Sequence, residues 1–369
     1  MSKTDAKTLS VLYLIESAGR GGAETVVVAL AGARGDRARV ASLRFGWMCD
    51  QLAAASVPVQ SIRYSYRSDL LLALRIARLI ERTRPNVVHC NCFTMNTVGA
   101  LGAALAGVPS IGTVHGAIYD LDTRFRRIAY RLAGMLHKRL VTVSRYLRGE
   151  LHHRTGVPSS KISVIYNGVP APVVSRASAQ GVRGEFGLNG SEFVVCSVGM
   201  FRPEKGHADL IDAVALARQR VPGMKLLLVG DGKCAADLEC HARELNLNGT
   251  VRFVPPGRDI PSILSAAQVF ALPSHTEGLS IATIEAMSCG TPVVVTDCGG
   301  PTEIVSDGVT GLVVPACDPE RMADALVRVA EDPALRGCLA ANGRVRARDS
   351  FSLETMLKSY DRLYEEVRW

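Results

Sequence analysis

No uninterrupted apolar run in this chain approaches the roughly 20 residues a membrane-spanning helix needs, although 47% of its 369 residues are hydrophobic. Met1 to Ser10 is polar and lacks the apolar core of a secretory leader, so a protein retained in the cytoplasm is expected. None of the ten cysteines belongs to a Cys-x-x-Cys pair. Cys90 and Cys92 lie close together, but in or just after an apolar stretch. Such scattered cysteines are expected as small buried hydrophobes, not as a disulfide framework or a metal cage. The glycine cluster Gly19-Arg20-Gly21-Gly22 is not the Gly-x-Gly-x-x-Gly dinucleotide fingerprint, since Ala23 and Glu24 occupy its last positions. Acid is also missing locally. From Arg124 to Arg148 there are eight basic residues (Arg124, Arg126, Arg127, Arg131, Lys138, Arg139, Arg145 and Arg148) and no Asp or Glu.

What is present divides unevenly. Residues 1–170 hold 23 Lys/Arg against 10 Asp/Glu, while the rest holds 20 against 25, within an overall charge of +8. Different partners for two halves follow from that asymmetry. Leu, Ile, Tyr and Met lie among the basic residues of 124–148, the pattern of a helix that could rest on anionic lipid. The plainer reading is a solvated helix face.

The length suits two domains of ordinary size. In the first half, strands are expected at Val11–Ile15, Arg39–Leu43, Val87–Cys90, Ser110–Val114, Arg139–Val143 and Ser163–Tyr166, with helices between them. Residues 170–190 read as a linker with a short helix. The alternation resumes with strands at Phe193–Val198, Lys225–Val229, Val251–Val254, Val269–Leu272, Pro292–Thr296 and Gly311–Val314. Helices over Pro319–Glu331 and Ser352–Val367 close the chain. Strands alternating with helices predict parallel sheets covered on both faces. The fold class is therefore α/β, with two Rossmann-like domains whose ligands bind at the carboxyl ends of the strands.

Two carboxylates, Glu277 and Glu285, flank Gly278-Leu279-Ser280, which should open a helix near Leu279. Free N–H groups at such a helix start suit a diphosphate. Helical spacing would place the carboxylates about 12 Å apart, too far to share a metal or act as an acid/base dyad. They suit two ends of an elongated, hydroxyl-rich anionic ligand. Arg202 and Lys205, in a loop with Gly199 and Gly206, suit a pyrophosphate, with Glu204 as the competing surface partner. Gly21 and Gly22 form a turn where backbone can approach a phosphate or sugar closely. His115 follows a strand and precedes Gly116. A lone His is more often a satisfied structural residue, but the carboxyl end of a strand is where site residues gather.

The ordered set of motifs resembles retaining GT-B glycosyltransferases of family 4 (glycosyl transferases group 1). It comprises Gly19-Arg20-Gly21-Gly22-Ala23-Glu24, Thr113-Val114-His115-Gly116, Val198-Gly199-Met200-Phe201-Arg202-Pro203-Glu204-Lys205-Gly206, the Glu277-x7-Glu285 stretch and Gly299-Gly300-Pro301-Thr302-Glu303. The resemblance covers nearly the whole chain. It implies two domains facing each other across a deep cleft, with residues 1–172 on the acceptor side and 190–350 binding the nucleotide sugar. Residues 351–369 would form a helix returning to the first domain.

The implied site residues are Glu277 at the donor sugar's hydroxyls, Glu285 at the ribose, and Gly278, Leu279 and Ser280 at the diphosphate. Arg202 and Lys205 would stabilise the leaving diphosphate without a metal or other cofactor, with Gly21 and Gly22 facing donor and acceptor. His115 would hydrogen-bond the sugar or the forming oxyanion. The expected activity is retaining transfer of a hexose or N-acetylhexosamine from a UDP- or GDP-sugar to a lipid-linked or growing glycan. It would occur in the cytoplasm or at the inner face of the membrane, and no nucleic-acid partner is expected. Phe253-Val254-Pro255-Pro256-Gly257-Arg258 departs from the family's usual Phe-Leu-Gly, leaving the base unspecified. A nucleotide-sugar epimerase, a phosphorylase-like enzyme and a non-catalytic scaffold protein remain as alternatives at this stage.

Overall fold

A computed structural model describes residues 9–64, 71–116, 121–188 and 190–368; most of the polar start, residues 1–8, lies outside them. The chain divides into two compact units, residues 1–167 with 353–369, and residues 168–352.

Among the described residues, the first unit holds seven parallel strands: β1 (Val11–Ile15), β2 (Ala38–Ser42), β3 (Val59–Ser61), β4 (Val87–Asn91), β5 (Ser110–Val114), β6 (Arg139–Thr142) and β7 (Ile162–Val164). Their order is β3-β2-β1-β4-β5-β6-β7. Every residue of β1 and β4 is buried, as a sheet covered on both faces requires. The second unit holds, among the described residues, six parallel strands, β8 (Phe193–Val198), β9 (Met224–Val229), β10 (Val251–Val254), β11 (Val269–Leu272), β12 (Val293–Asp297) and β13 (Leu312–Pro315), in the order β10-β9-β8-β11-β12-β13. In both sheets the order reverses beside the first strand, between β1 and β4 and between β8 and β11. These reversals are where ligands of open α/β sheets bind.

The last helix, Leu353–Val367, belongs to the first unit. Met356, Leu363 and Val367 are buried there, each contributing about 1.5–3 kcal/mol of hydrophobic stabilisation. A polar cluster fixes the helix's rotation. Tyr364 Oη lies 2.7 Å from His89 Nδ1, His89 Nε2 lies 2.7 Å from Thr113 Oγ1, and Thr113 Oγ1 lies 3.3 Å from Tyr360 Oη. Burial holds the His89 imidazole well below its usual pKa. Arg34 and Arg139 pair with Asp361 and Glu366 of the same helix.

Several local expectations are met or refined. The strand expected at Arg139–Val143 is present as β6 and divides the basic segment, so the lipid-facing pattern read over 124–148 falls on two helices, Arg124–Leu136 and Arg145–Thr155. The buried run Leu140-Val141-Thr142 pairs with β5 and cannot be helical. The short helix expected within residues 170–190 is present. Helix Arg176–Glu185 packs in the second unit, where Arg183 donates to the Ala266 carbonyl at 2.9 Å and pairs with Glu192. Strand β3 and helices Trp47–Ala54 and Pro333–Ser350 were not anticipated. The last has Gly337 and Gly343 in its interior, and its buried residues, Leu339, Gly343 and Ala347, fall four apart on one face but include a single large apolar side chain, so the apolar signal in the sequence is weak.

Candidate active site

Glu277 does not lie on a helix. It follows β11 in an extended segment, where its N–H donates to Cys298 O and its carbonyl accepts from Gly300 N, both at 3.0 Å. Gly300 has to be glycine, since a Cβ there would stand 1.9 Å from the Gly278 carbonyl oxygen. The Gly299-Gly300-Pro301 turn thereby aligns Glu277, a role its place in the sequence pattern did not reveal. Lys205 forms an ion pair with the Glu277 carboxylate, the side chains being 24% and 13% exposed.

Lys205 is delivered by the turn Pro203–Lys205 after β8. Gly206 adopts φ +64°, and a Cβ there would meet Pro273 O at 2.1 Å. His275 N donates to Glu204 O at 2.9 Å. The loops after β8 and β11 are thus packed backbone to backbone at the strand-order reversal. Arg202 is 50% exposed and 3.8 Å from the Glu204 carboxylate, an ion pair worth little in that setting.

The helix opened by the Gly278-Leu279-Ser280 turn starts at Ile281, two residues after Leu279. Ser280 is its N-cap, accepting from Thr283 N at 3.2 Å, and Leu279 is buried ahead of it. Among the described residues, no acceptor serves the N–H groups of Gly278, Leu279 and Ser280. An unsatisfied buried donor costs about 1–3 kcal/mol, so this segment suits an anion. Glu285 does lie on the helix, one turn in. Burial pushes its carboxyl up to about 7, and among the described residues no hydrogen bond or ion pair compensates it.

In the first unit, Gly21 is the N-cap of helix Gly22–Gly32, with the Gly19–Gly22 turn following β1. The Glu24 carboxylate, which accepts from Ser17 Oγ, lies against Gly21, where a Cβ would be 2.4 Å from Glu24 Oε2. A carboxylate at a helix N-terminus satisfies the dipole that an incoming anion would otherwise use. The turn is better suited to a hydroxyl-bearing group than to a diphosphate.

His115 follows β5. Its Nε2 lies 2.8 Å from Asn91 Oδ1. The orientation of the Asn91 amide is set by its Nδ2, which donates to Leu14 O and His89 O at 3.3 and 3.2 Å. Asn91 Oδ1 can only accept, so His115 carries its proton on Nε2. Its Nδ1 is buried and, among the described residues, unpaired. Burial pushes the imidazole pKa down to about 4. A neutral ring with a bare Nδ1 can accept a hydrogen bond but cannot donate one to an oxyanion, which removes that half of the expected role. Asn91 was missed in the sequence, where it reads as the end of an apolar strand.

Placed in two units, these residues form two clusters, each at the carboxyl ends of strands beside a sheet's order reversal. Residues 9–171 match the family described as Glycosyltransferase Family 4, and residues 180–346 match the family described as Glycosyl transferases group 1. The D-inositol 3-phosphate glycosyltransferase of Actinosynnema mirum is 32% identical over 304 residues, 77% of this chain and 73% of that protein. The UDP-Gal:alpha-D-GlcNAc-diphosphoundecaprenol alpha-1,3-galactosyltransferase of Escherichia coli is 28% identical over 332 residues, 87% of this chain and 86% of that protein. Anabaena HepE, solved in complex with UDP and glucose, has a TM-score of 0.89 at 25% identity, covering 97% of this chain and 100% of its own.

The fold is GT-B and the chain is a glycosyltransferase. It belongs to glycosyltransferase family 4.

Proposed function

We propose that this enzyme transfers a hexose or N-acetylhexosamine, with retention, from a nucleoside-diphosphate sugar to a hydroxyl of a lipid-linked or growing glycan. The carrying observation is the Lys205–Glu277 pair beside the acceptorless N–H groups of Gly278, Leu279 and Ser280. That arrangement suits a diphosphate next to a hydroxyl-rich ring. UDP is favoured over GDP as the carrier because the E. coli relative is named for UDP-Gal and HepE was solved with UDP.

In this reading Glu277 accepts from donor-sugar hydroxyls, and Glu285 accepts from the ribose. The three N–H groups, Lys205 and Arg202 hold the diphosphate. As the bond from the anomeric carbon to the diphosphate breaks, those donors and cations stabilise the developing negative charge, with no metal ion required. The acceptor oxygen bonds to the same face, and the departing phosphate oxygen takes the acceptor's proton. His115 Nδ1 accepts from a sugar hydroxyl, and the Gly21–Gly22 turn lies on the acceptor side.

Calorimetry with UDP and GDP tests the donor half. UDP should bind the wild type, and binding should be lost in Lys205→Ala. Binding of neither nucleotide would overturn it.

The lipid side of the reading rests on helix Arg124–Leu136. Phe125, Ile128, Leu132 and Met135 are exposed along one stripe at 80%, 50%, 66% and 51%, with Arg124, Arg127 and Arg131 exposed beside them. Among the described residues no helix is long and apolar enough to cross a membrane, and this stripe suits the interface of an anionic bilayer. Sedimentation with phosphatidylglycerol vesicles should pull down the wild type and not Phe125→Glu/Leu132→Glu. Equal recovery of both would refute the contact.

A further inference from the structure

The arrangement of the second unit brings together three side chains that the transfer reaction does not use. Asp209 lies in the first turn of helix His207–Ala217, His275 in the loop after β11, and Cys317 between β13 and helix Pro319–Glu331. One ligand atom from each lies within 4.8 Å of the others. His275 Nε2 and Asp209 Oδ2 are 2.8 Å apart, the imidazole N–H donating to the carboxylate. We propose that Asp209, His275 and Cys317 bind a divalent cation of borderline softness, zinc. This does not depend on the donor and acceptor assigned above.

The donor set decides the metal. A thiolate with an imidazole and a carboxylate matches zinc and is a poor match for magnesium or calcium, which take oxygen ligands. The ion takes the place of the His275 Nε2 proton, which moves to Nδ1, bonds Cys317 Sγ as the thiolate with the thiol proton released to solvent, and completes four-coordination with water. Zinc–ligand bonds of about 2.0–2.3 Å place neighbouring ligand atoms roughly 3–4 Å apart. The three groups therefore have to draw together by up to about an ångström. His275 and Cys317 are exposed and free to do so, while the His275 backbone is anchored to Glu204.

The backbone at Cys317 points the same way. Its φ is +58°, a conformation that costs a non-glycine residue about 1–2 kcal/mol. Glycine would be unstrained there. A thiol is held at this corner despite the strain, and it points at the imidazole and carboxylate. Cys317→Gly therefore deletes the ligand while relieving the backbone, so loss of folding cannot explain loss of binding.

Cobalt(II) added to the full-length protein, kept reduced with a phosphine, reads the site through its thiolate charge-transfer absorption in the near ultraviolet. One equivalent should give that band, and zinc should displace it. Cys317→Gly should abolish the band, keep or raise the melting temperature, and weaken zinc binding about tenfold or more in competition with a chromophoric chelator. His275→Ala should do the same to the band and the affinity, and Cys240→Ser, at another exposed cysteine, should leave both unchanged. A wild type without the band, or a Cys317→Gly protein with the band and the affinity intact, overturns the site.

Discussion

Lys205→Ala removes the counter-charge of Glu277 and leaves a carboxylate that is only 13% exposed. Truncating one partner of a fully buried pair costs about 3–5 kcal/mol. Lys205 itself is 24% exposed, so water reaches part of the pair, and a loss of about 2–3 kcal/mol is the better expectation. For a unit the size of residues 168–352, that corresponds to a fall of roughly 4–12 °C in its melting temperature. The decisive comparison is Lys205→Ala/Glu277→Gln. With the carboxylate neutralised no buried charge is stranded, so the double variant should regain at least half of the lost stability. Neither variant should bind UDP. Differential scanning calorimetry and UDP titration of wild type, both single variants and the double variant close the cycle. Additive stability losses would refute the claim that the pair stabilises the unit. UDP binding by the double variant would refute its role in the donor site.

Glu285 supplies a pH prediction. Its folded-state pKa of about 7 lies above its usual value of 4.5, so the folded protein binds the extra proton between those values and this group's contribution to stability falls as pH rises through that window. Ribose hydroxyls favour the ionised carboxylate, so UDP affinity should fall as pH drops below about 7. Titrations across that range should show the slope in wild type and lose it in Glu285→Gln. Gly300→Ala drives a Cβ into the Gly278 carbonyl at 1.9 Å, whereas Gly19→Ala meets nothing within 4 Å. UDP binding should be lost in the first and retained in the second.

His115 should remain neutral throughout pH 5–8, because burial holds it near 4. Asn91→Asp places a carboxylate on its Nε2 proton and should raise its pKa, read by histidine NMR. It should also cost about 1–3 kcal/mol, because the Leu14 and His89 carbonyls lose their donor.

Much of the fold was legible because parallel strands are buried on both faces. Runs such as Val11–Ile15 and Val269–Leu272 announce themselves by continuous apolar composition. Strand β3 did not, since two of its three residues are exposed. In the basic stretch the apolar run gave the strand holding Leu140 and Val141, whereas the charge pattern carried no information about chain reversal and did not show that the arginines on either side belong to different helices. In the candidate site, the residue types at 202, 205, 277 and 285 were legible from their motifs and spacing. The state of each was not, because pairing, capping and desolvation depend on neighbours distant in sequence.

The sequence alone determined the class of enzyme, the two-part α/β architecture and the candidate residues, because these follow from local periodicity and from motifs spanning a few residues. Tertiary structure alone decided that Lys205 meets Glu277 across 72 positions, that Asn91 sets the His115 tautomer, and that Asp209, His275 and Cys317 converge. Those are contacts between strand ends that become neighbours only when parallel strands are laid side by side, and no local pattern encodes that adjacency.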